Sequence, residues 1–88
     1  RSAMKVKAVK SEIDLRGMTV DEALTATDRF IDDAYLNNLT QVHIIHGKGT
    51  GALRKAIKEK LSGSRYVKQF YYAPANEGGD GATIAVLK

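Results

Sequence analysis

The run Gln41-Val42-His43-Ile44-Ile45-His46, near the middle of the chain, constrains the fold more than any other segment. It is short, β-branched and almost wholly apolar, the composition of a strand covered on both faces. Such a strand needs helices beside it, and the sequence supplies one on each side. Thr19-Val20-Asp21-Glu22 is a capping box, with Thr at the N-cap, Glu three residues on, and acidic side chains at the helix's positive end. Val20, Leu24, Thr27, Ile31 and Ala34 or Tyr35 then recur at helical spacing, and Asn37-Asn38 ends the helix near Leu36. Beyond the strand, Leu53, Ile57 and Leu61 form a second helical stripe with Gly63 as its C-cap.

Three further segments read as strands. Glu12-Ile13-Asp14-Leu15-Arg16 alternates with period two, placing Ile13 and Leu15 on one face and Asp14 and Arg16 on the other, until Gly17 stops it. Tyr66 to Tyr72 and Thr83 to Leu87 are the third and fourth strands. The order is β-α-β-α-β-β, an α/β class. Strand–helix–strand units make parallel neighbours through right-handed crossovers. Strands one to three should therefore run the same way, with their C-terminal ends along one edge of the sheet. Three loops open there: Gly17-Met18, His46 to Gly51 and Ala73 to Ala82. Ligands of open α/β sheets bind at that edge.

At 88 residues the chain is one domain, assigned to residues 11–88, with residues 1–10 read as a linker or an extension foreign to the domain. It opens Arg1-Ser2-Ala3 instead of with methionine, which suggests a piece of something longer. The absence of cysteine removes disulfide scaffolds, Cys-based zinc sites and thiol catalysis, and fits a reducing, cytoplasmic setting. No apolar run approaches membrane-spanning length, so no membrane partner is expected. The net charge of +4 is unevenly spread. Residues 19–45 hold Asp21, Glu22, Asp28, Asp32 and Asp33 against Arg29 alone. Residues 46–68 hold Lys48, Arg54, Lys55, Lys58, Lys60, Arg65 and Lys68 against Glu59 alone. One face built to meet a polyanion, nucleic acid above all, is the expected result.

The candidate site residues lie at the sheet edge. His46-Gly47-Lys48-Gly49-Thr50-Gly51 leads from a strand into a helix N-terminus, where glycines let backbone N–H groups approach a phosphate. The segment matches neither G-x-x-x-x-G-K-[ST] nor G-x-G-x-x-G, which argues against a nucleotide cradle. His43 and His46 are three apart on a strand and so face opposite ways, unsuited to holding one metal ion. His43 reads as a packed or hydrogen-bonded residue. His46, beside the glycine loop, has the chemistry for proton transfer or phosphate contact near neutral pH. Asp14 and Arg16 read either as a surface ion pair or as a phosphate clamp with an accompanying base, metal ligand or orienting group. Arg54, Lys55 and Lys58 on the second helix suit a phosphate backbone. Tyr66, Phe70, Tyr71 and Tyr72 include possible base-stacking surfaces, with Phe70 assigned to the core. Gly78-Gly79-Asp80-Gly81 reads as a flexible loop able to close on a backbone, through Gly79 and Gly81.

Three blocks stand together at this edge: Ile13-Asp14-Leu15-Arg16-Gly17, Ile44-Ile45-His46-Gly47-Lys48-Gly49 and Gly78-Gly79-Asp80-Gly81-Ala82-Thr83. In this order and spacing, over residues 11–88, they resemble the Smr (small MutS-related) domain. The D-L-R-G and H-G-K-G-T-G forms are similar to those at the C-terminus of the second bacterial MutS family. The resemblance implies a two-layer α+β sandwich with a four-stranded mixed sheet and two helices, similar to the C-terminal domain of bacterial translation initiation factor three. It implies an endonuclease domain that nicks DNA or cuts RNA, although some relatives mainly bind. Asp14 and Arg16 would fall in the element tied to nuclease activity, and His46, Gly47 and Gly49 in the H-G-x-G element. Many members carry histidine where this chain has Arg16, which leaves the general base open. The implied parent is an ATPase, homodimeric through other domains, linked to suppression of recombination and rescue of stalled ribosomes. ATP would belong to those other domains.

Two readings follow. In the first, Arg16, Lys48 and the loop amides hold a scissile phosphate while His46 and Asp14 handle protons or a divalent ion, Mg2+ or Mn2+. Its partner is branched or double-stranded DNA, or rRNA or mRNA at the ribosome. In the second, the same basic edge docks a larger machine on nucleic acid without chemistry. A protein adaptor built on the acidic first helix is a weaker third.

Overall fold

The computed structural model describes residues 11–88. The linker expected over residues 1–10 lies outside them. Six main elements follow in chain order: β1 (Glu12–Asp14), α1 (Val20–Leu36), β2 (Gln41–Ile45), α2 (Ala52–Ser62), β3 (Val67–Tyr72) and β4 (Ala82–Leu87). Two 3-10 turns, Ala75–Glu77 and Gly79–Gly81, lie between β3 and β4.

The strands form one mixed sheet in the order β1-β2-β4-β3. β1 pairs parallel with β2, and β4 pairs antiparallel with both β2 and β3. Strands one to three therefore run the same way, as the pattern predicts. They are not all neighbours, because β4 inserts between β2 and β3. Both crossovers step across the sheet in the same direction, and crossovers of one hand then place both helices on one face. The result is a two-layer α+β fold.

That arrangement corrects the expectation that β2 is covered on both faces. Val42 and Ile44 are buried beneath the helices, whereas His43 and Ile45, on the other face, are only half-buried. The core lies between the layers, with Leu15, Ile44, Ile57 and Leu61 fully enclosed. Burying each such side chain contributes about 1.5–3 kcal/mol. A smaller cluster of Ala73, Ala82 and Ile84, with Ile45 against it, lies on the opposite face.

The capping box forms as read: Thr19 Oγ1 accepts from the Glu22 amide at 3.2 Å, and Glu22 Oε1 accepts from the Thr19 amide at 2.9 Å. The buried stripe of α1 is Ala23, Thr27, Ile31 and Ala34. Val20 and Tyr35 are exposed and Leu24 only half-buried, so the stripe is turned from the predicted one. The small side chains of Ala23 and Ala34 let the helix sit close to its neighbours, and the bulkier residues move to its flanks. Asn37 caps α1, and Asn38 takes the left-handed φ of 62° that ends it. On α2, Ile57 and Leu61 are buried and Gly63 is the C-cap, as predicted.

Candidate nucleic-acid interface

Asp14 and Arg16 do come together, but through a turn, since β1 ends at Asp14. The Asp14 carboxylate accepts from the Arg16 amide at 3.0 Å, from Nε at 3.0 Å and from an Nη at 2.7 Å. This fork-to-fork pair with Arg16 holds the Asp14 carboxyl down at about 2. Asp14 in turn raises the Arg16 guanidinium above its ordinary value. Both side chains are largely exposed. Arg16 also packs on Gly47, where a Cβ would lie 3.1 Å from its Cγ. Gly47 has φ of 79°, so both its backbone and its neighbour favour glycine.

His46 sits at the expected edge but is turned inward, only 3% exposed. Its Nδ1 lies 2.9 Å from the Gly47 carbonyl and its Nε2 2.8 Å from Thr83 Oγ1. A carbonyl can only accept, so Nδ1 carries the proton; in the neutral ring Nε2 then accepts from the Thr83 hydroxyl. His46 thus ties the start of the glycine loop to β4. His43 points to the other face of the sheet, its Nδ1 3.6 Å from the Glu12 carboxylate. The two histidines do not converge.

The glycine loop and the loop before β4 are docked on each other. The Gly81 carbonyl accepts from the His46 amide at 3.1 Å and the Gly47 amide at 2.8 Å. The Gly47 amide is therefore committed within the protein instead of being available to a phosphate. Asp80, to which no role was assigned from sequence, lies between two site cations. One carboxylate oxygen is 3.3 Å from Lys48 Nζ and the other 3.2 Å from an Arg54 Nη. Lys48 and Arg54 hold its carboxyl below the usual range. The loop expected to close on a ligand is thus latched across the glycine segment by ion pairs. The hint was an acid set among three glycines in a loop that strand order brings to the same edge as the basic glycine segment.

A cleft of about 510 Å³ opens between the first loop and the glycine loop. It is lined by Arg16 to Val20 and by His46 to Arg54, so the starts of both helices meet in it. α2 begins on Gly51 in the left-handed region (φ 87°), with no side-chain cap from that residue and no acid in its first turn. Thr50 Oγ1 accepts from the Ala52 amide at 3.3 Å. The helix's positive end, Arg16, Lys48 and Arg54 together make the cleft suited to an anion. Lys58 lies one turn beyond Arg54 and lines a second groove with it. Lys55 is exposed further round α2 and lines neither cavity. Gly79 has open space around it, whereas a Cβ on Gly81 would come into ordinary contact with Lys48 and the Gly47 backbone. Tyr66 lies at the other end of β3, stacked on Tyr35 with centroids 4.5 Å apart, so it is removed from base stacking here.

Among the described residues, no three His, Asp or Glu side chains converge as metal ligands. Both Asp14 oxygens also hold the Arg16 guanidinium, whose charge repels a cation. The residues present do not fit a resident divalent ion. Among the described residues, no helix is long and apolar enough to cross a membrane.

The Smr domain family model matches residues 13–88. A protein named Endonuclease MutS2 from Lactobacillus helveticus is 56% identical over 87 residues, covering 99% of this chain but 11% of the relative. The Symbiobacterium thermophilum protein of the same name is 52% identical over 84 residues, covering 96% of this chain and again 11% of the relative. The chain thus spans about a tenth of the length of these relatives. Among solved structures, the Smr domain of Thermus thermophilus MutS2 superposes with a TM-score of 0.87 at 46% identity, covering 89% of this chain and 98% of that one. YdaL, a stand-alone small MutS-related protein from Escherichia coli, gives 0.85 at 27% identity, covering 89% of this chain and 64% of that one. Three motif blocks at one sheet edge, the matched fold and these identities agree: the chain belongs to the Smr domain family.

Proposed function

We propose that this domain binds nucleic acid at the cleft and cleaves a phosphodiester there. The observation that carries this reading is the convergence of Arg16, Lys48, Arg54 and the start of α2, which has no acid in its first turn, around one opening. Such fixed donors stabilise the extra negative charge that a phosphate gains in its transition state. The similarity to proteins named as endonucleases supports the same reading.

Each residue has a role set by its surroundings. Arg16 turns from Asp14 to clamp the phosphate with its two N–H edges. Asp14 then loses the main cause of its low pKa, and its carboxylate becomes a better proton acceptor. His46 acts through position: its bonds to Gly47 and Thr83 hold the glycine loop in shape. RNA is the favoured substrate, because its 2′-OH supplies an internal nucleophile and the cleft residues need not hold a metal-activated water. The 2′-oxygen attacks phosphorus and its proton passes to Asp14. The 5′-oxygen leaves and takes a proton from solvent. In a MutS-like parent the domain would act where the ATPase places it, during recombination control or ribosome rescue; any dimerisation would rest on other parts of that protein.

The test is incubation of the purified domain with end-labelled structured RNA and, separately, supercoiled plasmid, in magnesium or in chelator. RNA cleavage that survives chelator, leaves 5′-hydroxyl ends, and vanishes in Asp14→Ala and Arg16→Ala is the expected result. A second reading, docking without chemistry, is favoured by one feature: His46 is buried with both nitrogens engaged. Salt-sensitive binding without cleavage of either substrate would establish it and overturn the first.

A further inference from the structure

We propose that the groove between α2 and the end of β3 is a nucleobase subsite, giving this domain a preference for unpaired nucleotides over duplex. The inference rests on the nucleic-acid reading above and adds to it the part of the nucleic acid that is recognised. The groove encloses about 300 Å³ and is lined by Arg54, Lys58, Phe70, Tyr71, Tyr72 and Thr83. That volume lies at the low end of ligand pockets, which run from about 300 to 1,000 Å³.

The four tyrosines of the chain divide into two pairs. Tyr35 and Tyr66 satisfy each other by stacking at the far end of the sheet. Tyr71 and Tyr72 are 46% and 51% exposed at the site end, beside the groove. Tyr72, half in water on the helix side beside Arg54 and Lys58, combines π surface with positive charge, of which only Arg54 is already paired, with Asp80. A nucleotide answers both, since every base has a face to stack and every linkage a phosphate to pair. A purely apolar partner would leave Lys58 desolvated without a counter-charge.

The groove also continues the cleft. Arg54 lines both cavities. Thr83, which holds His46, pairs across the sheet with Tyr72. A strand whose phosphate sits among Arg16, Lys48 and Arg54 can therefore lay its next base on Tyr72, whose ring is on the helix side, while Tyr71 faces the other side of the sheet. A β-bulge between Val67 and Gln69 sets this geometry. It shifts the alternation so that Phe70 and Tyr72 face the helix side, with Phe70 packed on the core and Tyr72 out at the groove. A base held in a duplex is already stacked and cannot enter, so only an unpaired nucleotide gains the contact.

The test is fluorescence anisotropy with labelled oligonucleotides of about eight nucleotides, DNA and RNA, each single-stranded and annealed to its full complement as a blunt duplex. The proteins are the unmodified chain, Tyr72→Ala, Tyr72→Phe and Tyr72→Trp. Tyr72→Ala should weaken single-strand binding about five-fold or more and leave the salt dependence unchanged. Duplex binding should move less than about two-fold. Tyr72→Phe should restore the single-strand affinity, and the indole of Tyr72→Trp should be quenched by single strands. Whichever sugar shows the larger loss identifies the preferred nucleic acid. Equal loss on single strands and duplex, or no quenching, would overturn the subsite while leaving the phosphate cleft standing. No binding of the unmodified chain to any oligonucleotide would overturn both.

Discussion

Helix α1 begins at the cleft with Thr19 and Glu22 capping each other and Asp21 beside them, whereas α2 begins at the same cleft on Gly51 with no capping box and no acid in its first turn, only Thr50 Oγ1 accepting from the Ala52 amide. Both helices carry the same partial positive charge at that end. In α1 the sequence neutralises it from within, so the first turn has little left to offer a ligand. In α2 no acid of the first turn offsets it, and Lys48 and Arg54 add positive charge that Asp80, from a distant loop, offsets in part. Position in the fold makes two helix ends available; local sequence decides which one is left without an acid of its own.

Exchanging the two designs should have the largest effect. Ala52→Glu places an acid in the first turn of α2, where Ala52 is exposed. It should weaken oligonucleotide binding by about ten-fold or more, because a like charge then faces each phosphate. It should also stabilise the fold by about 0.3–1 kcal/mol. Equal binding by this variant would show that the start of α2 is not where the phosphate sits. Thr19→Ala tests the other helix. Losing that cap should cost about 1 kcal/mol, lowering Tm by roughly 4–8 °C, while leaving oligonucleotide affinity alone. A marked loss of affinity in thermally matched assays would mean that α1 takes part in binding.

Asp80→Asn should have a smaller and opposite effect on binding. It releases Lys48 and Arg54 from their ion pairs. Affinity should rise about two- to five-fold, and the slope of log K against log salt should steepen by about 0.7–1.8, for one to two phosphates gained. A fall in affinity would instead make Asp80 a latch that the binding conformation needs. The smallest effect concerns Asp14. Its carboxyl should titrate at about 2, against an ordinary 3.8, when followed by NMR, and Arg16→Ala should return it toward the ordinary value. Since the folded pKa is the lower one, the pair's contribution to stability is complete above about 3.8 and is lost as pH falls through about 2. An unshifted titration would mean that the fork pair does not persist in solution.

Much of the fold was legible because its signals are local. The capping box, the Asn37-Asn38 stop and the Gly63 cap each involve groups within a few residues of one another. The three edge loops followed from strand direction alone. The rotation of the α1 stripe was not legible, since Leu24 is the more apolar of Ala23 and Leu24 and only the distance of closest approach favours the smaller one. The second-face cover of β2 was misread for a related reason. Ile45 is apolar, and an apolar residue on a half-covered face looks the same in sequence as one beneath a helix.

The sequence by itself determined the order of elements, the concentration of charge near residues 46–68, and the edge at which Asp14, Arg16, His46 and the glycine loop would meet. Periodicity, capping and net charge carry that information without reference to distant residues. Only the tertiary structure decided the insertion of β4 beside β2, the inward turn of His46 onto Thr83, and the seat of Asp80 between Lys48 and Arg54. Each joins groups separated by more than twenty-five residues in the chain. Their pairing depends on how strands register and how loops dock, and no local pattern encodes it.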